Sequence, residues 1–195
     1  MSKLAIKGAD TGTGVFTLES PATNTDRTLV LPDEAGTVLT SASPTVLPKG
    51  GPAFSAYMSA TYQTTSPNTY TKVALDAELF DSNSNYDTSN YRWTPTVEGY
   101  YQINAAVGVS YLSTVMNGFQ VLIYKNGSSY LTMQSRVNSQ YGTGAISQLV
   151  YMNGSTDYLE LWGYSVGGTD PVFQGSGSSP RQYQSWFSGV LVRAA

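Results

Sequence analysis

The sequence contains no cysteine and no histidine. Disulfides, thiolate or imidazole metal sites, and nucleophilic triads built on Cys–His or Ser–His are therefore excluded within it. Charge is scarce too. Asp, Glu, Lys and Arg make up 12% of the 195 residues, and the net charge is −3; soluble domains usually carry about twice that share of charge. The basic residues form no cluster, so nothing answers the phosphates of a nucleic acid. No run approaches the ~20 apolar residues that cross a bilayer as a helix, so no membrane insertion is expected. The start, MSKLAIKGAD, lacks the apolar core of a secretory signal. The expectation is a chain made in a cytoplasm that folds without covalent staples.

What is present points to β structure. Hydrophobic residues reach 41%, enough for a core, and the 15 tyrosines and 19 glycines fit aromatic strands joined by turns. Polarity comes from Ser, Thr, Asn, Gln and Tyr rather than from charge. No segment shows a convincing helical period. Residues 1–43 read as short strands between turns (GVFTL, RTLVL, TVLTS), too small to bury much alone. Residues 44–52, with Pro and Gly, read as a linker. From residue 53 the strands lengthen: FSAYMSA, YYQINAAVGV, FQVLIY, ISQLVYM, DYLELWGY and SWFSGVLV. Several carry apolar residues on both faces, with Leu122, Val190 and Val192 as examples. A strand with one buried face alternates more cleanly, so a second burial partner is implied, and self-association supplies one. Asn126-Gly127 and Asn153-Gly154 read as tight hairpin turns, which places them at the end of the sandwich that holds the chain termini. Residues 137–144 and 165–184 read as long loops at the opposite end. Structureless loops beyond ~12 residues are commonly functional.

The residues AFSAYMSA (53–60), NYDTSNYRWTPTVEGYYQI (85–103), VLIYKNG (121–127) and SWFSGVLV (185–192), in this order, resemble the globular head of the complement component q family, whose fold is shared with tumour necrosis factor. The resemblance covers residues 53–194. It implies a ten-stranded jelly roll assembled as a tight homotrimer, with Phe54, Trp93, Gly99, Tyr101, Phe187 and Gly189 in its structural core. A collagen-like stalk, common in that family, is replaced here by residues 12–41. Those resemble short modules in bacteriophage tail fibres and other virion proteins, with TLVLPDEAGTVLT as the recurring piece. The expected organisation is thus an N-terminal virion-docking and trimerisation module (1–43), a linker (44–52) and an all-β jelly-roll head (53–195), on a tail or capsid surface.

Few residues offer chemistry. Asp81, Asn83, Asn85 and Asp87 begin like a calcium loop, but its sixth position is Tyr86 and its twelfth is Arg92, so a polar loop is the reading and no metal or cofactor is expected. Asp76 and Glu78 share a strand face, as a glycosidase pair could, and Asp157 and Glu160 fall on opposite faces. GTGVFT and GSGSSP complete neither a nucleotide fingerprint nor a nucleophile elbow. No catalytic residue is assigned. Tyr141, Phe173, Arg181 and Tyr183 in the long loops are the candidate contacts to a host-surface glycan or protein, since tyrosine offers both a stacking face and a hydroxyl. The leading expectation is a receptor-binding virion trimer that is not an enzyme. A purely architectural virion protein and a polysaccharide-degrading enzyme are the alternatives.

Overall fold

A computed structural model describes residues 51–176 and 184–195, which fall in the second of the two units into which the chain divides, Leu39–Ala195. The N-terminal module and the linker up to residue 50 lie outside the described residues. So do Arg181 and Tyr183.

Thirteen strands and no helix occur among the described residues. They are β1 (Ala53–Tyr57), β2 (Tyr62–Thr64), β3 (Thr71–Lys72), β4 (Ala77–Asp81), β5 (Tyr86–Asp87), β6 (Arg92–Trp93), β7 (Glu98–Tyr111), β8 (Gly118–Lys125), β9 (Ser128–Ser135), β10 (Tyr141–Asn153), β11 (Leu159–Val166), β12 (Pro171–Gln174) and β13 (Trp186–Ala194). All pairings are antiparallel. One sheet runs β2-β12-β7-β13-β1-β4, with β10 on the far side of β7; the other runs β5-β6-β11-β8-β9, with β3 on β11. The architecture is an all-β jelly-roll sandwich. The count exceeds the ten strands implied by the family resemblance because short pieces such as β2, β3 and β12 are added to the long ones.

Alternation in the long strands builds the interior. Along β7, Tyr101, Ile103, Ala105, Val107 and Val109 point inward and are fully buried, facing Phe119, Val121 and Ile123 of β8 and Leu159 and Leu161 of β11. One end of this core is aromatic. The Phe54 ring stacks on Trp93 at 4.7 Å and on Tyr86 at 5.5 Å and meets Phe187 edge-on at 4.9 Å, and Trp93 meets Tyr101 edge-on at 4.9 Å. Such offset and edge contacts suit the ring quadrupole. The stretch YRWTPTVEGYY now has a physical account. Trp93 is core, Pro95 cannot donate to a ladder and follows the end of β6, and Gly99 sits where a Cβ would overlap the Arg193 carbonyl oxygen and the Leu191 side chain. Phe54, Trp93, Gly99, Tyr101, Phe187 and Gly189 are all buried.

Three connections differ from the sequence reading. Asn126-Gly127 is a two-residue hairpin between β8 and β9, with φ 54° and 79°, as a type I′ turn requires. Asn153-Gly154 is not a hairpin, because β10 pairs with β7 and β11 with β8, so the chain there crosses between sheets. The Asn153 Oδ1 atom accepts from the amides of Ser155, Thr156 and Asp157 and holds this crossing as a compact loop. Both Asn-Gly sites nevertheless lie at the end with the described chain's two ends: Asn153 registers with Glu98, Ala195 donates to the Glu98 carbonyl, and Leu191 donates to that of Pro52. The two long loops also shrink. Strand β10 begins at Tyr141, leaving only residues 136–140 as loop, and residues 165–174 contain the end of β11, a turn and β12.

Candidate functional site

The end opposite the termini gathers residues 65–70, 112–117, 136–140 and 167–170. Short hydrogen bonds fasten them together. Tyr111 Oη donates to the Gly167 carbonyl at 2.5 Å, the Gly167 amide to Asn68 Oδ1 at 3.2 Å, the Thr169 amide to Thr114 Oγ1 at 3.0 Å, and the Met116 amide to the Ser139 carbonyl at 2.9 Å. Asn68 and Asp170 adopt left-handed φ values of 55°, a conformation that Asn and Asp tolerate better than other non-glycine residues. This rim presents apolar side chains to solvent: Tyr141 is 64% exposed, Leu112 59% and Val115 50%.

Of the contacts expected from sequence, Tyr141 belongs to this rim. Phe173 does not: it is fully buried in β12, and its ring crosses the interior to rest on Gly163 of β11, where a Cβ would overlap it. A ring enclosed in this way cannot touch a receptor. Leu112 and Val115 were missed, since the β7–β8 connection is short and only its last residue, Asn117 before Gly118, gives a turn signal.

A second surface is the outer face of the seven-stranded sheet. Cross-strand neighbours stand in rows along it. Nearest the termini, Tyr151 faces Tyr100, their rings 5.5 Å apart, with Leu149, Val190 and Val192 beside them; all five are exposed. Gln102 of β7 stands in register between Leu149 and Val190, and the next row is polar throughout: Ser147 on β10, Asn104 on β7, Ser188 on β13 and Ser55 on β1. Beyond them come Ala145, Ala106, Trp186 and Tyr57. The edge of β10 opposite β7 pairs with no strand among those described, and its thirteen residues, YGTGAISQLVYMN, include no charge and no proline. Long uncharged edges of this kind are a liability unless covered. Leu122 does not belong with these exposed residues. It is 2% exposed, registered between Trp162 and Thr132, so the outer layer of the chain itself covers it.

The outer face of the other sheet encloses a carboxylate. Glu160 Oε1 accepts from Lys72 Nζ at 2.8 Å, Arg92 Nε at 2.9 Å and Arg92 Nη2 at 2.8 Å, and Oε2 accepts from Trp162 Nε1 at 3.1 Å. Trp162 stacks on Tyr124 at 4.4 Å, and the Arg92 guanidinium lies 3.7 Å above the Tyr158 ring. Burial pushes the Glu160 pKa up, but the bonds from Lys72, Arg92 and Trp162 outweigh it and hold the carboxyl below its ordinary value. At the terminal end, Asp157 binds three partners, Lys125 Nζ at 2.9 Å, Asn126 Nδ2 at 2.8 Å and the Asn153 amide at 3.1 Å. Both carboxylates are fully committed to structure. Asp76 is occupied as well, by the Ser59 amide and hydroxyl, each at 2.7 Å, and Asp81 accepts from the amides of Asn83 and Tyr86 within its own loop. Among the described residues, no three acidic side chains come together as a group that could hold a metal ion.

No family model matches the chain. An uncharacterized protein, YqcC of Bacillus subtilis, is 28% identical over 112 residues; the match covers 54% of this chain and 30% of that protein. Solved structures match more widely. The globular domain of zebrafish complement 1qA superposes with a TM-score of 0.51 at 13% identity, over 74% of this chain and 99% of its own. The Eiger TNF of S. frugiperda gives 0.53 at 8% identity, over 73% and 93%. Vertex protein P5 of phage PRD1 gives 0.52 at 15% identity, over 74% and 99%. At these identities the likeness shows the fold alone, and that fold is the jelly roll of complement component q and tumour-necrosis-factor domains.

Proposed function

We propose that the chain is a homotrimeric structural protein of a virion that meets its host through the rim opposite the chain termini. The observation that carries this reading is the outer face of the seven-stranded sheet. It exposes Tyr100, Leu149, Tyr151, Val190 and Val192 together, and contiguous apolar surface of this kind marks an interaction site. The charged residues near it, Glu98 and Arg193, stand at its terminal edge and oppose each other in sign. Copies can therefore approach without like-charge repulsion, and closed symmetry is the common outcome for identical subunits. The likeness in fold to a phage vertex protein supports the virion setting. Residues 1–43 dock the protein on the particle. Pro52 lies at the terminal end of the head, and the rim with Leu112, Val115 and Tyr141 lies at the opposite end.

Sedimentation equilibrium of the full chain should give three copies. Replacing Leu112 and Val115 with Ser and Tyr141 with Ala should leave a folded trimer that no longer competes with the phage for host adsorption, since exposed surface residues usually contribute less than ~0.5 kcal/mol to stability. A folded triple variant that blocks adsorption as well as the parent protein would overturn recognition at this rim and favour a purely architectural role.

A further inference from the structure

We infer that the outer face of the seven-stranded sheet carries a polar key, Gln102–Asn104–Ser147, that sets the register in which copies of this chain assemble. The inference rests on reading that face as the contact between copies. Its starting point is the order of the rows. Tyr100 and Tyr151 lie on the terminal side of the key, Leu149 and Val190 flank Gln102 in its own row, and Ala106, Ala145 and Trp186 lie on the other side. Covering the apolar rows necessarily removes the polar one from water, and a polar group buried without a partner is costly.

Within one chain the cluster is only half satisfied. Gln102 Nε2 donates to Asn104 Oδ1 at 3.3 Å and to Ser147 Oγ at 3.0 Å, and Ser147 Oγ donates to Asn104 Oδ1 at 2.8 Å. Gln102 Nε2 also reaches the Ile103 carbonyl at 3.4 Å. These bonds leave Asn104 Nδ2 as a donor and Gln102 Oε1 as an acceptor, neither with a partner among the described residues. One free donor and one free acceptor per chain form a self-complementary set. In a ring of identical subunits, each chain can offer its Asn104 amide to the Gln102 oxygen of the next. A shift of one row along the strands would set Gln102 against the Tyr100 and Tyr151 rings, or Asn104 against Ala106 and Ala145. The penalty for that mismatch is the same one that lets a single buried asparagine fix register and copy number in coiled coils. The occupant of the face is thus another copy of this chain, in one alignment.

The alternative is that water satisfies the cluster and that the contact lies elsewhere. Asn104→Asp separates the two. The full chain and its N104D variant are compared by sedimentation velocity and native mass spectrometry at pH 7.5 and pH 4, with near-ultraviolet circular dichroism as the check on folding. The ionisable groups that share the face are Tyr57, Tyr100 and Tyr151, with Glu98 and Arg193 at its edge, and the parent protein controls for them. The expected result is a parent trimer at both pH values, whereas N104D is monomeric at pH 7.5 and returns to trimer at pH 4, near the point where a carboxyl regains its proton at about 4. An N104D trimer at pH 7.5 that matches the parent overturns the key while leaving the trimer standing. A parent protein that is monomeric throughout overturns the trimer itself. Should N104D fail to fold at pH 7.5, Asn104→Leu decides: a mixture of copy numbers supports the key, and a uniform trimer refutes it.

Discussion

Replacing Glu160 with Gln tests whether the enclosed carboxylate holds the outer sheet together. The variant keeps the shape and one acceptor oxygen but loses the charge. In the parent, Oε1 takes three charge-assisted bonds, from Lys72 Nζ and from Arg92 Nε and Nη2, and Oε2 takes one from Trp162. Bonds to charged groups contribute ~1.5–3 kcal/mol and neutral ones ~0.5–1.5. The exchange thus loses about 1 kcal/mol at each of the three, and the new amide NH2 meets the Trp162 donor instead of accepting from it, which costs about 1 more. Lys72 and Arg92 are 27% and 37% exposed while the Glu160 side chain is 3% exposed. The cations therefore regain hydration when released, and about half the sum survives, roughly 2 kcal/mol. For a chain of this length that lowers Tm by about 4–8 °C. The dependence on pH has a definite sign. The folded pKa of Glu160 lies below its unfolded value, so its contribution is fully present above the unfolded pKa of about 4.3 and is lost as pH falls through the folded pKa. The gap between parent and E160Q should stay constant from pH 8 to about pH 5 and close below that. Thermal melts followed by Trp fluorescence provide the readout, since Trp162 touches the site. A variant that melts within 1 °C of the parent at pH 7 would refute the reasoning.

Trp93→Ala and Phe173→Ala should each cost about 3–5 kcal/mol as large buried rings, seen in urea titration as an earlier midpoint; an unchanged midpoint for F173A would return Phe173 to the surface. Asn126→Asp sets a second carboxylate at 2.8 Å from Asp157 Oδ1. It should destabilise by about 1–3 kcal/mol at neutral pH and less on acidification, when one carboxyl retains a proton and restores a donor; equal loss at pH 4 and pH 7 would contradict this.

The all-β class, the long strands and the aromatic core were legible because alternation and ring content are local properties. Trp93, Gly99 and Tyr101 lie in one stretch whose proline and glycine mark its breaks. The misses share a different cause. Asn153-Gly154 carries the same local signal as Asn126-Gly127, but whether an Asn-Gly site closes a hairpin depends on which strands flank it, and β10 finds its partner in β7. PVFQ at 171–174 sits among glycines and serines and reads as loop. Its strand state comes from pairing with β7 beyond the end of β13, a contact of long sequence separation. The glycines of YGTG read as turn residues yet lie within β10, where Gly142 and Gly144 leave room for the Phe119 ring. Leu122 was assigned to a partner chain because nothing local showed that Trp162 would stand beside it. Nothing local showed the enclosure of Glu160 either, since its cations come from β3 and β6.

The placement of the few basic residues determines how this head meets a digestive enzyme. Trypsin must draw the chain out straight on both sides of a lysine or arginine, so it cuts at frayed loops or after local opening. Among the described residues, Lys72, Arg92 and Lys125 lie within strands and are tethered to Glu160 or Asp157. Arg193 lies near the end of β13, and Arg136 falls in the short loop between β9 and β10. Cleavage after Arg136 would leave both flanking strands held by their ladders to β8 and β7. Among the described residues, the placement of charge thus leaves trypsin one loop to open, between two strands whose ladders would survive the cut.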